Sequence, residues 1–403
     1  MNLKKVLPYI LSILLLIGAI FFKASVAQNT EEAHEETKEV SRVSRSLPEE
    51  MRGVWVTYMT LDVENEVNKR AAFDRKIDQI IADMKAGGFN TMVVQVRPFC
   101  DAIYPSKLFP WSHIICGKQG ADPGFDPLLH IVEKCRANHI YVHAWVNPYR
   151  IATENTPKKL SEDNPYRRDE SIGVELNGNL YLNPASDKAI KLIADGVREL
   201  VENYDIDGVQ FDDYFYPESC GNFDSADYEA YQAESGKSLT IEEFRKNNVS
   251  RMVKAVYEAI HKADDSVMFG ISPQGNLSNN DGLFADVKTW CREEGYIDYI
   301  CPQLYYSLDN PALTFEDSLD EWLSLKRHKN LEFYVGLSGY KAGTDADDGT
   351  WLDNDDILET EITILRKRRA DGFMLYSYDS FNDSKNQPEI KNVIRYLTTS
   401  ATQ

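Results

Sequence analysis

The sequence is short of basic residues and lacks the motifs that bind structural zinc or nucleotides. Of its 403 residues, 44 are Lys or Arg and 64 are Asp or Glu, which gives a net charge of −20. Because phosphate backbones bind to basic surfaces, nucleic acid is not expected as a partner. The six cysteines form no Cys-x-x-Cys pair and no cluster with histidine, which argues against a structural zinc site.

Long apolar runs are also scarce, and the one that exists lies at the N-terminus. Lys4 and Lys5 precede an apolar segment from Val6 to Phe22, and Ser25-Val26-Ala27 supplies small residues for cleavage. Residues 1–27 are therefore predicted to be an export signal, with an uncleaved membrane anchor as the alternative. Membrane contact is expected only through this segment, because no later run is long enough to cross a bilayer.

Residues 28–48 contain many Glu, Ser and Thr residues and almost no large apolar ones, a composition typical of a disordered linker. We expect the folded domain to extend from residue 49 to 399. An exported protein can form disulfides, and Cys100 with Cys116 is the first pair to test because both lie in one predicted loop.

From Arg52 onward, strand patterns alternate with amphipathic helix patterns. Residues 91–97 form a nearly continuous apolar run, which is typical of a parallel strand buried on both faces. Within the long segment 151–184, Asn177-Gly178 predicts a β-hairpin. The predicted strands are 52–58, 91–97, 140–146, one that begins at Asp207, 266–272, 297–302, 331–337 and 372–376.

Eight strand–helix units in unbroken alternation predict an α/β fold, a (β/α)8 TIM barrel. A doubly wound open sheet is the alternative. That fold usually carries a glycine-rich phosphate-binding turn after an early strand, and the sequence has none. In a barrel, the residues that follow each strand meet at one face and build the active site.

The side chains at these strand ends are mostly amides, phenols, indoles and carboxylates. Such a set suits a neutral polyhydroxylated ligand, because polar groups replace water at the hydroxyls and rings cover the C–H faces. The predicted substrate-binding residues are Tyr58, Arg97, Asp101, His143, Trp145, Asn147, Tyr214, Gln274, Gln303, Tyr305, Tyr340 and Tyr378.

The predicted catalytic residues are Asp212, Asp213 and Asp379. Asp212 has the strand parity of Gln210, so it is the candidate nucleophile or electrostatic stabiliser if those side chains point into the barrel. Asp213 is the candidate general acid, provided that the chain turns after Asp212; Asp379 and Asp101 are alternatives. A 2-acetamido group on the substrate is an alternative nucleophile, with an aspartate orienting it.

Two further residues allow more than one interpretation. Arg97 is either a substrate clamp or a counter-ion that keeps Asp212 ionised. His143 is either a site residue or a buried histidine bonded to the backbone. A metal site built from His143, Asp212, Asp213 and Asp379 is the less favoured reading, so neither a metal nor a cofactor is predicted.

Five blocks of the sequence resemble the glycosyl hydrolase-like 10 family, and they occur in the family's order. The blocks are Arg52-Gly53-Val54-Trp55-Val56, Gln95-Val96-Arg97-Pro98, His143-Ala144-Trp145-Val146-Asn147-Pro148, Asp207-Gly208-Val209-Gln210-Phe211-Asp212-Asp213-Tyr214 and Pro302-Gln303-Leu304-Tyr305.

The resemblance implies a bacterial envelope enzyme with a (β/α)8 barrel that hydrolyses peptidoglycan glycan strands, particularly strands stripped of their peptides. It also implies export to the periplasm or cell envelope. Two other functions stay open at this point. One is a glycan-binding barrel without catalysis, and the other is a metal-dependent polysaccharide deacetylase.

Overall fold

Eight parallel strands close into a barrel, and helices connect them along the outside. We describe a computed structural model that covers residues 47–236, 239–352 and 354–400. The barrel strands pair in chain order around the ring, and the first pairs with the last. The predicted TIM barrel is confirmed. The predicted export signal and all but the last two residues of the predicted linker lie outside the described residues.

The strands, in chain order, are β1 (Met51–Val56), β2 (Thr91–Arg97), β3 (Tyr141–Val146), β4 (Arg150–Ala152), β5 (Gly173–Leu176), β6 (Asn179–Leu182), β7 (Gly208–Phe211), β8 (Met268–Ile271), β9 (Tyr299–Ile300), β10 (Glu332–Ser338) and β11 (Gly372–Tyr376). Strands β4, β6 and β5 form a small antiparallel sheet outside the barrel. The predicted hairpin at Asn177-Gly178 is confirmed, because β5 and β6 pair across it.

The main helices are Lys69–Ala86, Pro127–Ala137, Asp187–Asn203, Ser225–Ser235, Ile241–Ala263, Phe315–Leu323, Ile357–Lys367 and Gln387–Ser400. Shorter helices are Tyr58–Leu61, His113–Cys116, Pro165–Arg168, Asn279–Gly282 and Val287–Arg292, and 3-10 turns span Glu170–Ile172, Gly339–Lys341, Asp347–Leu352 and Tyr378–Phe381. No helix in these described ranges is long and apolar enough to cross a membrane.

Several helix boundaries follow from side-chain caps. The Asn68 side chain accepts a hydrogen bond from the backbone N–H of Ala71 at the start of the helix Lys69–Ala86. Thr240 and Glu243 form a reciprocal capping box at the start of the longest helix, Ile241–Ala263. Each cap satisfies backbone N–H groups that the first turn of a helix leaves without partners.

The structure corrects three local predictions. The first strand stops at Val56, because Thr57 caps a helical turn over Tyr58–Leu61. The sequence pattern predicts one helix over residues 282–294, whereas the structure has two short helices, Asn279–Gly282 and Val287–Arg292. All six cysteines are free thiols, so Cys100 and Cys116 form no disulfide.

Two apolar clusters lie on the two sides of the barrel wall. The inner cluster is Met51, Trp55, Val93, Trp145, Met268, Tyr299, Cys301, Tyr334 and Met374. These side chains alternate along their strands with residues that pack under the helices in the larger outer cluster. The lower barrel is therefore filled, and its open space lies at the carboxyl-terminal face.

Candidate active site

Strand β7 ends at Phe211, and the chain bends two residues later, at Asp213. Gln210 points into the barrel, where its side chain accepts a hydrogen bond from Trp55 Nε1 at 2.6 Å. Asp212 follows with the same parity, and the bend at Asp213 brings the second carboxylate to the same face. Both aspartates therefore line one cavity, as the catalytic hypothesis requires.

Asp212 is held by N–H donors from the neighbouring strand β3. Its Oδ2 accepts hydrogen bonds from Trp145 Nε1 at 3.0 Å and from the Asn147 amide. Its Oδ1 takes a longer bond, 3.3 Å, from the backbone N–H of Tyr214. One carboxylate oxygen is thus fixed by the protein and the other stays more open to a ligand.

Asp213 is held from the opposite side of the cavity, by the ends of β8 and β9. The Gln274 amide donates to Oδ2, and Gln303 Nε2 donates to Oδ1 at 3.1 Å. Gln303 Nε2 also donates to the Ser272 carbonyl at 2.9 Å, which fixes its orientation. The two carboxylates are therefore held by donors from different neighbouring strands, and both line the same cavity.

A second layer of polar side chains orients the Asp212 donors. Asn147 Oδ1 accepts hydrogen bonds from Gln95 Nε2 at 2.6 Å and from Arg150 Nη2 at 3.0 Å. Gln95 Oε1 in turn accepts the backbone N–H of Tyr58 at 3.0 Å. Because Asn147 Oδ1 already accepts two bonds, its amide nitrogen is directed at Asp212.

Burial changes the charge states of the pair. Asp212 is 5% exposed and Asp213 is 7% exposed. Burial, and then the negative charge of Asp213, raise the pKa of Asp212 to about 7, while Arg150 opposes the rise. Burial also raises the pKa of Asp213, against the Gln303 and Gln274 donors. The two carboxyls titrate together, so one proton is shared by the site near neutral pH.

Aromatic rings form most of the wall around the two aspartates. The cavity has a volume of about 310 Å³, and its aromatic lining is Trp55, Trp145, Tyr214, Tyr305, Tyr340 and Tyr376. Tyr376, at the end of β11, lies at the centre, with its ring centroid 5.8 Å from those of Tyr305 and Tyr340. Rings beside paired acids suit a sugar, whose C–H faces stack on them.

A second cavity, of about 430 Å³, adjoins the first on the side of the β5–β6 hairpin. Asp213, Tyr214 and Gln274 line both cavities. Asp212 lines only the first. Asp213 therefore lies at the junction of the two cavities.

Arg97 lies outside this site, contrary to the prediction. The β2–β3 register shifts between Gln95 and Arg97, so Arg97 leaves the inward-facing alternation. Its guanidinium packs 4.4 Å from the Phe109 ring centroid and against Gly196 of the outer helix Asp187–Asn203. The charge that opposes the raised pKa of Asp212 comes from Arg150 instead.

Asp101 and His143 are also away from the two aspartates. Asp101 is fully buried in the loop after β2, where it accepts a hydrogen bond from Gln119 Nε2 at 2.9 Å. His143 lies inside the barrel, 2.9 Å from the Tyr299 hydroxyl, and burial lowers its pKa to about 3. His143 is therefore a core residue, although its partner is a side chain and not the backbone.

Tyr58, Tyr378 and Asp379 lie at the rim or beyond it. Tyr58 lines a separate cavity of about 320 Å³. The Tyr378 hydroxyl donates a hydrogen bond to Asp83 at 2.7 Å. Asp379 is exposed and accepts a hydrogen bond from the Thr60 hydroxyl at 3.0 Å. His143, Asp212, Asp213 and Asp379 thus do not converge, and across the described chain no cluster of three or more potential ligands is placed to bind a metal.

Five residues of the site were not predicted from the sequence: Trp55, Gln95, Arg150, Ser272 and Tyr376. Gln95 is a lone amide within the buried apolar run of β2, and this contrast was a usable signal. Trp55 and Tyr376 required the barrel register, which shows which strand residues face inward. Arg150 required the path of the chain after Asn147.

Comparison with known proteins identifies similar sequences over most of the chain. The family described as glycosyl hydrolase-like 10 matches residues 50–353. Glycosyl hydrolase YngK of Bacillus subtilis (strain 168) is 34% identical over 367 residues, which cover 85% of this chain and 70% of YngK. Glycosyl hydrolase DigH of Escherichia coli (strain K12) is 27% identical over 389 residues, 86% of each chain.

Among solved structures, the glycoside hydrolase domain of PgaB (BpsB) from Bordetella bronchiseptica has a similar fold. The TM-score is 0.54 at 13% sequence identity, and the match covers 86% of this chain and 99% of that domain. At this identity the likeness shows a shared fold and nothing more specific.

Proposed function

This chain belongs to the glycosyl hydrolase-like 10 family and is a glycosidase, and we propose that it hydrolyses peptide-free peptidoglycan glycan strands with Asp212 and Asp213. The main support for this proposal is the pair of aspartates, Asp212 and Asp213. Two buried carboxylates are held by N–H donors from opposite sides of one aromatic cavity. Glycoside hydrolysis requires two acidic groups that flank the scissile bond, one to protonate the leaving oxygen.

In the proposed mechanism, Asp213 is the general acid. It lies at the junction of the two cavities, where the oxygen that joins two sugars would lie. Burial raises the pKa of both aspartates, so either can hold the proton, and the position of Asp213 between the two cavities is what assigns it the role of acid. Proton transfer to the bridging oxygen releases the sugar on the hairpin side.

Asp212 stabilises the positive charge that develops on the other sugar. Trp145 and Asn147 fix its Oδ2, so Oδ1 faces the cavity with only the long bond from the Tyr214 amide. That oxygen either attacks the anomeric carbon or orients a 2-acetamido group that attacks in its place. In both routes Asp213 gives its proton to the leaving oxygen and afterwards takes a proton from a water molecule. That water attacks the anomeric carbon, which breaks the bond to Asp212 or to the acetamido oxygen and releases the second sugar.

The choice of substrate follows from the family resemblance and from the lining of the cavity. Rings, amides and acids suit a chain of amino sugars, whose acetamido groups accept and donate hydrogen bonds. The export signal predicted in residues 1–27 would bring the enzyme to the periplasm or cell envelope, where such strands occur. Export of the protein to the periplasm or cell envelope is therefore part of the proposal.

The test is the Asp212→Asn variant on purified peptide-free glycan strands, with products identified by mass spectrometry. We expect the wild type to release shorter strands that have gained one water per cut. We expect the variant to lose at least about 10³-fold in kcat with an unchanged circular dichroism spectrum. Asp78→Asn is the matched control, because Asp78 is an exposed aspartate of an outer helix that pairs with Lys134.

Other products would point to other chemistry. Fragments without added water indicate a lyase, and loss of acetyl groups from intact strands indicates a deacetylase. Retention of strands without any product indicates a binding protein. Near-normal turnover by Asp212→Asn would rule out the assigned role of Asp212.

A further inference from the structure

Among the described residues that line the two adjoining cavities, Arg150 is the one cationic side chain. Its guanidinium lies 4.7 Å from the Phe99 ring centroid and 5.8 Å from that of Tyr214. Nε donates to the Pro98 carbonyl at 2.7 Å and Nη2 donates to Asn147 Oδ1 at 3.0 Å. These contacts fix the plane of the guanidinium beside the junction of the cavities.

Arg150 still has donors to offer. Within the described part of the chain it forms no ion pair, and no residue accepts a hydrogen bond from its Nη1. A fixed guanidinium with free N–H groups is suited to a planar carboxylate, which it binds through two parallel bonds. Besides its effect on the pKa of Asp212, this positive charge is available to bind an anionic group of the substrate.

We propose that the hairpin-side cavity is the leaving-group subsite, and that Arg150 there binds a free carboxylate carried by the leaving sugar. This inference rests on the proposed function and adds the order of the sugars. In peptide-free strands, every second sugar bears a lactyl ether that ends in a carboxylate. That ether is attached to the carbon beside the one that holds the chain oxygen, so the carboxylate lies close to the bond being cut.

The same contact explains a preference for strands without peptides. A stem peptide converts the lactyl carboxylate into a neutral amide and adds bulk at that position. The amide has one oxygen and no negative charge, so it cannot form the bidentate ion pair that a carboxylate forms with a guanidinium.

The order of the sugars predicts which end each cut creates. If the carboxylated sugar leaves, each new non-reducing end carries the lactyl group and each new reducing end does not. Tandem mass spectrometry of the products shows which sugar stands at each new chain end. Fragments with the lactyl group at the new reducing end would overturn the assignment.

The test of Arg150 compares two substrates that differ only at the lactyl group: peptide-free strands, and the same strands with their carboxylates converted to neutral methylamides. For the wild type we expect kcat/KM to be at least about tenfold higher on the carboxylate form. Arg150→Gln should bring this ratio close to one. Arg150→Lys, which keeps the charge but not the planar fork, should retain part of the preference.

The ratio compares kcat/KM for the carboxylate form with kcat/KM for the methylamide form of the same variant. A loss of activity that affects both substrates equally therefore leaves the ratio unchanged. The control is Arg292→Gln, an exposed arginine that pairs with Glu293 and should keep the wild-type ratio. An Arg150→Gln enzyme that is slower but keeps the preference would overturn the inference, and so would a wild type that hydrolyses both forms equally. If Arg150→Gln fails to fold, the ratio for Arg150→Lys decides. A wild type that cuts neither form contradicts the proposed function instead.

Discussion

At the scale of single residues, the amide of Asn147 connects the polar network to the charge state of Asp212. Its nitrogen donates to Asp212, and its oxygen is held by Gln95 and Arg150. A hydrogen bond to the charged form of a carboxyl lowers its pKa. The network thus limits the rise in the pKa of Asp212 that burial causes. It keeps this pKa near neutral pH, so that one of the two aspartates can be protonated there.

We therefore predict that kcat/KM falls as the pH rises above about 7, because the shared proton is then lost. In Asn147→Ala the missing donor raises the pKa of Asp212 further, so this alkaline limb moves to higher pH. Maximal kcat should drop about 10- to 100-fold, because Asp212 loses its orientation. A pH–rate profile from pH 4 to about 10 measures both effects.

The control for this change is Asn203→Ala. Asn203 is exposed and caps a carbonyl, that of Glu199, at the end of an outer helix. Its removal should leave the pH profile where it is. If the alkaline limb of Asn147→Ala stays in place or moves to lower pH, Asn147 does not act on Asp212 in the way described.

Residue-scale prediction from sequence succeeded where strand parity alone decides the direction of a side chain. Asp212 follows Gln210 into the barrel as expected, and Trp145 and Asn147 come to lie beside it. It failed for Arg97, because a register shift between strands depends on the partner strand. A single sequence contains no signal for such a shift.

At the scale of elements, the ends of β8 and β9 approach each other closely enough to require glycine. A Cβ on Gly275 would lie 2.1 Å from the Gln303 carbonyl oxygen. The Gly275 carbonyl is held on its other side by Ser318 Oγ at 3.0 Å and Trp322 Nε1 at 2.7 Å. The helix Phe315–Leu323 therefore fixes the loop that positions Gln274 and Gln303 against Asp213.

Gly275→Ala should accordingly destabilise the protein by about 1–3 kcal/mol and lower kcat, because the added methyl forces Gln303 away from Asp213. Urea unfolding and steady-state kinetics measure the two effects. Gly282→Ala is the matched control, since nothing lies within 4 Å of its added Cβ and Gly282 is helical. It should change stability by no more than about 1 kcal/mol, in the stabilising direction. Equal behaviour of the two variants would contradict the role given to Gly275.

The elements themselves were largely predictable, because hydrophobic periodicity and caps act locally. Strands β2 and β11 have the bounds that the sequence predicts. The helix Ser225–Ser235 was missed because none of its described side chains is fully buried, so it has no strong apolar stripe to recognise. The chain breaks the expected helix between Gly282 and Val287, where Phe284 has a φ of 55° and Asp286 caps the second helix by accepting a hydrogen bond from the Thr289 N–H.

At the scale of the whole molecule, charge sets how an anionic polymer approaches the site. The chain carries a net charge of −20, while its proposed substrate carries a carboxylate on every second sugar. Long-range repulsion between the two is screened as salt is added, since the Debye length falls from about 30 Å at 0.01 M to about 10 Å at 0.1 M. Contact with Arg150 is short-range and half-buried, so salt weakens it less.

We predict that kcat/KM for peptide-free strands rises at least about twofold between 0.01 M and 0.1 M salt, because encounter becomes faster. The methylamide form of the same strands is neutral, so its kcat/KM should not change over this range. Initial rates at substrate concentrations well below KM measure the difference. A fall with salt for the carboxylate form would mean that local attraction at Arg150, and not the overall charge, controls the encounter.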